Sequence, residues 1–277
     1  VLIELLEELR IILAKSYAIK TPEPDMQVNL KNKNVIVTGA SRGIGKGIAE
    51  QLIASGARVA MQYNENKNRA GKVQAALGSR AVLYQCDFAD GLDVGSFFNR
   101  VLKDFKRIDV IVNNAGVAIK SDPEKNDIDW IDDWLQTMDV NLNATALLCK
   151  KAVAHYKTSG GGIIINIASR AAFRGDTQDY LAYAASKAGV VGLTRSIARA
   201  YGKDGIKAFI VAPGFVRTEM AQEFIDEYGM DYATTDLALK EMPEPAEIAN
   251  FVTFLASGMA DHATGGTFDI NSGSYVH

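Results

Sequence analysis

Tyr183 and Lys187 stand four residues apart in Tyr183-Ala184-Ala185-Ser186-Lys187, within a stretch of helical periodicity, and that interval puts both side chains on one helix face. A tyrosine hydroxyl titrates near 10, and an adjacent ammonium favours the phenolate, lowering that value by roughly 1–3 units. The pair therefore predicts a general acid/base acting on a hydroxyl or carbonyl oxygen. Ser169 follows the apolar run Ile163-Ile164-Ile165-Asn166-Ile167, at the carboxyl end of an expected strand, where its hydroxyl could hold a carbonyl oxygen. Alone, a tyrosine and a lysine at this interval would read as the solvated face of an amphipathic helix; Ser169 and a glycine loop near residue 40 argue otherwise.

That loop is Thr38-Gly39-Ala40-Ser41-Arg42-Gly43-Ile44-Gly45-Lys46-Gly47, placed after a β-branched run and at the start of a helical one. Glycines let the backbone turn tightly and approach a pyrophosphate, while free N–H groups and the positive end of a helix dipole attract its charge. The spacing is Gly-x-x-x-Gly-x-Gly, which differs from the commoner Gly-x-Gly-x-x-Gly of dinucleotide sites.

The elements that must position these residues alternate from Asn34 onward. Strands are predicted at Asn34–Thr38, Arg58–Tyr63, Ala81–Gln85, Asp109–Asn113, Gly162–Ile167, Ile206–Ala212 and Thr267–Ile270. Helices fill the intervals, among them Gly45–Ser55 ending at Gly56 and Tyr180–Tyr201 ending at Gly202. The pattern predicts an α/β fold: a doubly wound, seven-stranded parallel sheet with helices on both faces. Residues 26–277 read as one domain. Residues 1–25 read as an extension, with Leu2, Leu5, Leu6, Leu9, Ile12 and Leu13 on one helix face, Glu4, Glu7, Glu8 and Lys15 on the other, and a Thr21-Pro22-Glu23-Pro24-Asp25 linker. Its acidic polar face favours packing on protein over a membrane surface.

Of the 277 residues, 48% are hydrophobic and 23% charged, which excludes a disordered or membrane-embedded chain. A formal net charge of -3 leaves no basic excess for nucleic acid. Cys86 and Cys149 lack metal or disulfide spacing and suit buried thiols in the cytoplasm, and His155, His262 and His277 are too scattered to predict a metal site.

The glycine loop, Asn113-Asn114-Ala115-Gly116, the Tyr183 to Lys187 segment and Pro213-Gly214-Phe215-Val216-Arg217-Thr218 occur in an order and at separations that resemble the short-chain dehydrogenase/reductase family over residues 30 to 273. The resemblance implies a Rossmann-type sheet and hydride transfer between a nicotinamide cofactor and a carbonyl or alcohol carbon. It makes Tyr183 the acid/base, gives Ser169 the substrate oxygen, gives Lys187 the nicotinamide ribose as well, and has Asn141 support a water-linked proton relay to the lysine. It implies cofactor contacts from Gly39, Ser41, Arg42, Gly43, Ile44 and Gly45, from Asn114, Ala115 and Gly116, from Asp87 and Phe88 near the adenine, and from Pro213, Gly214, Val216 and Thr218 near the nicotinamide. It also implies a homotetramer, or otherwise a dimer, built on the helices around Ala144 and Tyr183.

Cofactor choice turns on the end of the second strand, where an acidic residue would hold the ribose 2′-hydroxyl of NAD. Here stand Tyr63 and Asn64, and Arg42 offers a guanidinium to a 2′-phosphate, so NADPH is expected over NADH; the alternative is that Glu65 does the selecting. Within the family the chain looks most like the 3-oxoacyl-[acyl-carrier-protein] reductases. It departs from them where basic residues would dock the carrier, having Thr158-Ser159-Gly160-Gly161-Gly162 before the fifth strand and Asp204 beside Lys203 before the sixth. The segment Met220 to Met242, with Phe224, Tyr228, Met230 and Tyr232, either contacts an apolar substrate or packs a lid. The acidic run Asp122, Glu124, Asp127, Asp129, Asp132 and Asp133 reads as a solvated helix start that, lying near the mouth of the site, would disfavour anionic substrates. The expected activity is an NADPH-dependent carbonyl reductase acting on a small molecule. A carrier-protein reductase and a non-catalytic nucleotide-binding scaffold are the alternatives.

Overall fold

Seven apolar runs, β1 (Asn34–Val37), β2 (Arg58–Tyr63), β3 (Ala81–Gln85), β4 (Val110–Asn113), β5 (Gly162–Ile167), β6 (Ile206–Pro213) and β7 (Thr267–Ile270), pair in parallel as one sheet. Their order is β3-β2-β1-β4-β5-β6-β7 in a computed structural model that describes residues 28–276. Val35 pairs with Val59 on one side and Val110 on the other, so the order in which successive strands are added across the parallel sheet reverses between β1 and β4. A crevice opens at the carboxyl ends beside such a reversal, and the glycine loop leaves β1 there.

Strand alternation divides the core between the two faces of the sheet. Val35, Val37, Val110 and Val112 face helices α1 (Gly43–Ala54) and α10 (Pro245–Ala256), through Ile48, Leu52, Ile248 and Val252. Ile36, Ile111 and Ile164 face the opposite layer, where α3 (Gly91–Phe105) contributes Phe97 and Val101, α5 (Ala144–Ser159) contributes Leu148, and α7 (Leu181–Tyr201) contributes Ile197. Between these elements lie α2 (Lys67–Leu77), α4 (Asp127–Met138), the single turn α6 (Ala171–Arg174), and the pair α8 (Glu219–Tyr228) and α9 (Met230–Thr234) over the crevice.

One helix end differs from expectation. Gly56 has the positive φ expected after α1, but Gly202 does not after α7: its φ is -56°, the chain continues through a 3-10 turn, and Gly205 takes the left-handed conformation at 74°. The turn into β6 is made at Gly205, whose carbonyl packs so closely on Gly161 that a Cβ there would collide with it. The expected helix within residues 1–25, and His277, lie outside the described residues. Among the described residues no helix is long and apolar enough to cross a membrane.

Candidate active site

The glycine loop is held from below by Gln62, whose Oε1 accepts from Gly39 N at 2.7 Å while its Nε2 donates to Cys86 O at 2.7 Å. Thr38 Oγ1 accepts from Asn114 N and Ala115 N, each at 2.9 Å, and Asn114 Nδ2 donates to Thr38 O at 2.9 Å. These bonds lock the end of β1 to the end of β4. The loop needs its glycines: φ is +64° at Gly39 and +52° at Gly43, and a Cβ on Gly45 would collide with the Gly39 carbonyl. Arg42, extended at the N-cap of α1, gives no side-chain cap, and no acidic residue lies in the first turn. The helix therefore presents free N–H groups and its positive pole to the crevice.

The crevice is a cleft of about 650 Å³. Gly39, Ser41, Arg42, Gly43, Ile44, Gly45, Tyr63, Asn64, Asp87 and Phe88 line one end, Asn114, Ala115 and Gly116 the middle, and Ser169, Tyr183, Lys187, Pro213, Gly214, Val216 and Thr218 the other. Of the residues expected from sequence, Asn141 alone does not line it. Its side chain is buried in a wide helical turn, Asp139–Asn143, between α4 and α5. Asn141 Oδ1 accepts from Val117 N at 2.8 Å, and its Nδ2 donates to Val117 O at 2.9 Å and Ser186 Oγ at 3.0 Å. Ser186 in turn donates to Tyr183 O at 2.7 Å, so Asn141 braces the helix that carries the tyrosine.

Lys187 is 4% exposed, its Nζ donating to Ile167 O at 3.0 Å and lying 5.8 Å from the centre of the Tyr183 ring. Burial pulls its pKa down to about 8. The expectation that this lysine lowers the Tyr183 pKa is corrected: burial holds the phenol above its ordinary value, Asp176 pushes the same way, and only the hydrogen bond to Ser169 opposes them. Burial is the largest influence on the phenol. Ser169 also accepts from Ala171 N at 3.1 Å, which fixes its hydroxyl at the turn into α6.

Of the segment covering the cleft, Met220 and Phe224 line it, as does Phe215. Tyr228 and Tyr232 instead pack against each other, ring centres 5.0 Å apart and planes tilted by 32°, behind Phe224 and Phe215 respectively. The segment thus divides between residues that line the cleft, Met220 and Phe224, and residues that pack the lid, Tyr228 and Tyr232. None of the six acidic residues between Asp122 and Asp133 lines the cleft, and Asp133 pairs with Lys125, so their proposed effect on anionic substrates has no geometric support. Sequence reasoning missed Arg69, Arg170 and Asp176, which also line it. Arg69 carried a signal: it occupies the first turn of α2, where a cation opposes the helix dipole and so needs another reason to be there. Arg170 had only its adjacency to Ser169.

A family model described as "Enoyl-(Acyl carrier protein) reductase" matches residues 39–275. The chain is 35% identical over 252 residues to the 3-oxoacyl-[acyl-carrier-protein] reductase FabG of Staphylococcus epidermidis, covering 88% of this chain and 100% of that protein. It is 34% identical over 252 residues to a D-threitol dehydrogenase of Mycolicibacterium smegmatis, covering 90% and 95%. A short chain dehydrogenase from Burkholderia cenocepacia, solved in complex with NADP, superimposes with a TM-score of 0.81 at 32% identity, covering 89% of this chain and 99% of that one.

Proposed function

From a chain that belongs to the short-chain dehydrogenase/reductase family, we propose an NADP(H)-dependent carbonyl reductase that works on a small molecule in the cytoplasm, or oxidises the matching alcohol. The observation that carries this is one cleft with an uncapped helix N-terminus and Arg42 at one end and Ser169, Tyr183 and Lys187 at the other.

The cleft fits a nicotinamide dinucleotide. Gly39, Gly43 and Gly45 leave backbone room where any Cβ would be strained or would collide, as a pyrophosphate cradle requires. Arg42 and Arg69 both line the end beyond Asn64, where two guanidinium groups suit a 2′-phosphate, and the Burkholderia relative binds NADP. Bound there, the cofactor supplies the hydride. The protein supplies orientation and a proton. Ser169 and Tyr183 hold the carbonyl oxygen between two hydroxyl donors, which stabilises the negative charge that develops on it. Because burial keeps the phenol protonated at neutral pH, Tyr183 is ready to give its proton to that oxygen. The Lys187 ammonium stabilises the phenolate left behind. Asn141 acts by positioning, through Val117 and Ser186, and the water-linked relay implied by the family resemblance would run from Lys187 past it.

Reduction of 3-oxoacyl thioesters is the second reading, favoured by the identity to the staphylococcal enzyme. Against it stand Gly160 and Asp204 on the surface where carrier-docking cations would be expected. For assembly we propose a homotetramer: α4 leaves Ile128 75%, Ile131 46% and Leu135 51% exposed along one face, an apolar stripe suited to a second subunit. Light scattering on the purified protein tests this.

The deciding experiment follows oxidation of NADPH and of NADH with ketones, aldehydes and short acyl thioesters. Turnover of free carbonyls with NADPH supports the first reading, and turnover confined to thioesters supports the second. Bound NADPH with no oxidation by any class would overturn both in favour of a non-catalytic scaffold.

A further inference from the structure

Arg170 follows Ser169 directly and lines the same end of the cleft, yet it is 4% exposed. A guanidinium carries five N–H donors and is rarely buried without acceptors, because stripping its hydration costs several kcal/mol unless hydrogen bonds replace it. Among the described residues no hydrogen bond from its side chain is present, and Nη1 is fully buried without a partner. Its guanidinium lies against a ring, Cζ being 5.0 Å from the centre of Phe215. That contact attracts the cation but satisfies none of its donors.

The nearby acids are otherwise engaged. Asp236 pairs with Arg174 at 2.7 Å, and Asp176 accepts from Thr177 N at 2.9 Å, so both act on Arg170 only through space. Arg174 and Asp236 cancel, Asp176 offsets one of Arg170 and Lys187, and the substrate end of the cleft is left with about one positive charge. One carboxylate would balance it, whereas a dianion would face Asp176.

We infer that Arg170 recognises a carboxylate on the substrate, which makes the substrate class short oxo acids, or the corresponding hydroxy acids, with the carboxylate a few bonds from the reacting carbonyl. The inference rests on the reductase reading of this site. A planar guanidinium presents two parallel N–H donors to a carboxylate, a geometry that neither Lys187 nor Ser169 can offer. Phe215 lies against the guanidinium and, with Phe224, lines the same cleft, which gives the intervening carbons an apolar wall.

The test measures kcat/KM with NADPH for pyruvate, acetoacetate and levulinate, each against its methyl ester, in the native enzyme and in Arg170→Met. In the pairs that are turned over, the native enzyme should favour the acid by at least 10-fold, and Arg170→Met should lose roughly 10²-fold on the acid and little on the ester. Preference for the ester, or equal loss on both, would overturn the inference while leaving the reductase standing. A readout independent of turnover is calorimetric titration of the NADP+-loaded protein with butyrate and butyramide. Butyrate should bind the native protein and Arg170→Lys more tightly than butyramide does, and Arg170→Met should lose that difference. Equal binding of the two by the native protein would sink the arginine's role even if none of the carbonyls reacted, an outcome that on its own would count against the reductase reading instead.

Discussion

Arg69 Nη1 lies 2.9 Å from Glu219 Oε2, an ion pair that ties the first turn of α2 to the first turn of α8 across the mouth of the cleft. Arg42 Nη1 reaches the same oxygen at 3.4 Å. All three side chains are more than a third exposed, so the cluster contributes little to stability. Its consequence is for binding, because the carboxylate competes with any phosphate that the two arginines would hold.

Replacing the arginines separates that role from general attraction. Arg42→Ala and Arg69→Ala should each raise the KM for NADPH by about 10-fold and leave that for NADH within about twofold, since the lost partner is the 2′-phosphate. Glu219→Gln should lower the KM for NADPH severalfold by freeing both guanidinium groups. Initial-rate measurements with the two cofactors decide it; an equal effect on NADH would mean that the arginines serve the pyrophosphate instead.

The states of Tyr183 and Lys187 set a pH dependence. Below pH 8 Lys187 is charged and can stabilise the phenolate formed when Tyr183 gives up its proton; above it that charge is lost. The kcat/KM for carbonyl reduction should therefore be level at neutral pH and fall as pH rises through about 8. Tyr183→Phe should remove turnover by at least about 10³-fold while NADPH still binds, as nucleotide fluorescence would report. Loss of binding in parallel would mean that the hydroxyl serves cofactor binding, which would sink the proposed proton-transfer role.

The same buried lysine lowers stability. Its native pKa of about 8 lies below the ordinary lysine value, so the unfolded chain holds more protons than the native one between the two values, and stability rises with pH across that window. At pH 7 the cost is about 3 kcal/mol. Lys187→Met should accordingly be inactive yet more stable by up to that amount, with the gain shrinking as pH rises from 8 toward 10. Urea unfolding at pH 7 and pH 9.5 measures it, and a variant less stable at both would show that the Ile167 hydrogen bond outweighs desolvation.

The strands were legible because a parallel sheet covered on both faces leaves continuous apolar runs, and Ile163 to Ile167 ends in a polar residue, Ser169, where such runs meet the crevice. The cleft-lining residues were legible for the same reason, since they follow the strands directly. Three things were not. That Asn141 is buried behind the cleft depends on the wide turn joining α4 to α5, which periodicity does not encode. The raised phenol of Tyr183 depends on burial by segments distant in sequence, so an argument from two side chains on one helix gave the wrong sign. Arg170 looked like any loop arginine, because its burial and its contact with Phe215 arise from segments distant in sequence.

Gly116 joins these threads. A Cβ at this position would stand 3.3 Å from Lys187 Nζ and 3.1 Å from Asn141 Oδ1, tighter than ordinary contact with two groups that cannot both yield. Lys187 is fixed by Ile167 O, and Asn141 by three hydrogen bonds to Val117 and Ser186. Displacing a bound polar group in a packed site costs about 1–3 kcal/mol. Gly116→Ala should therefore lower kcat by 10-fold or more, because the lysine or its brace moves away from Tyr183, and, since Gly116 lines the middle of the cleft, raise the KM for NADPH by a smaller factor. If only KM rises and kcat holds, the strain is relieved by shifting the backbone after β4, and the lysine is not the rigid element that the proton-transfer geometry requires.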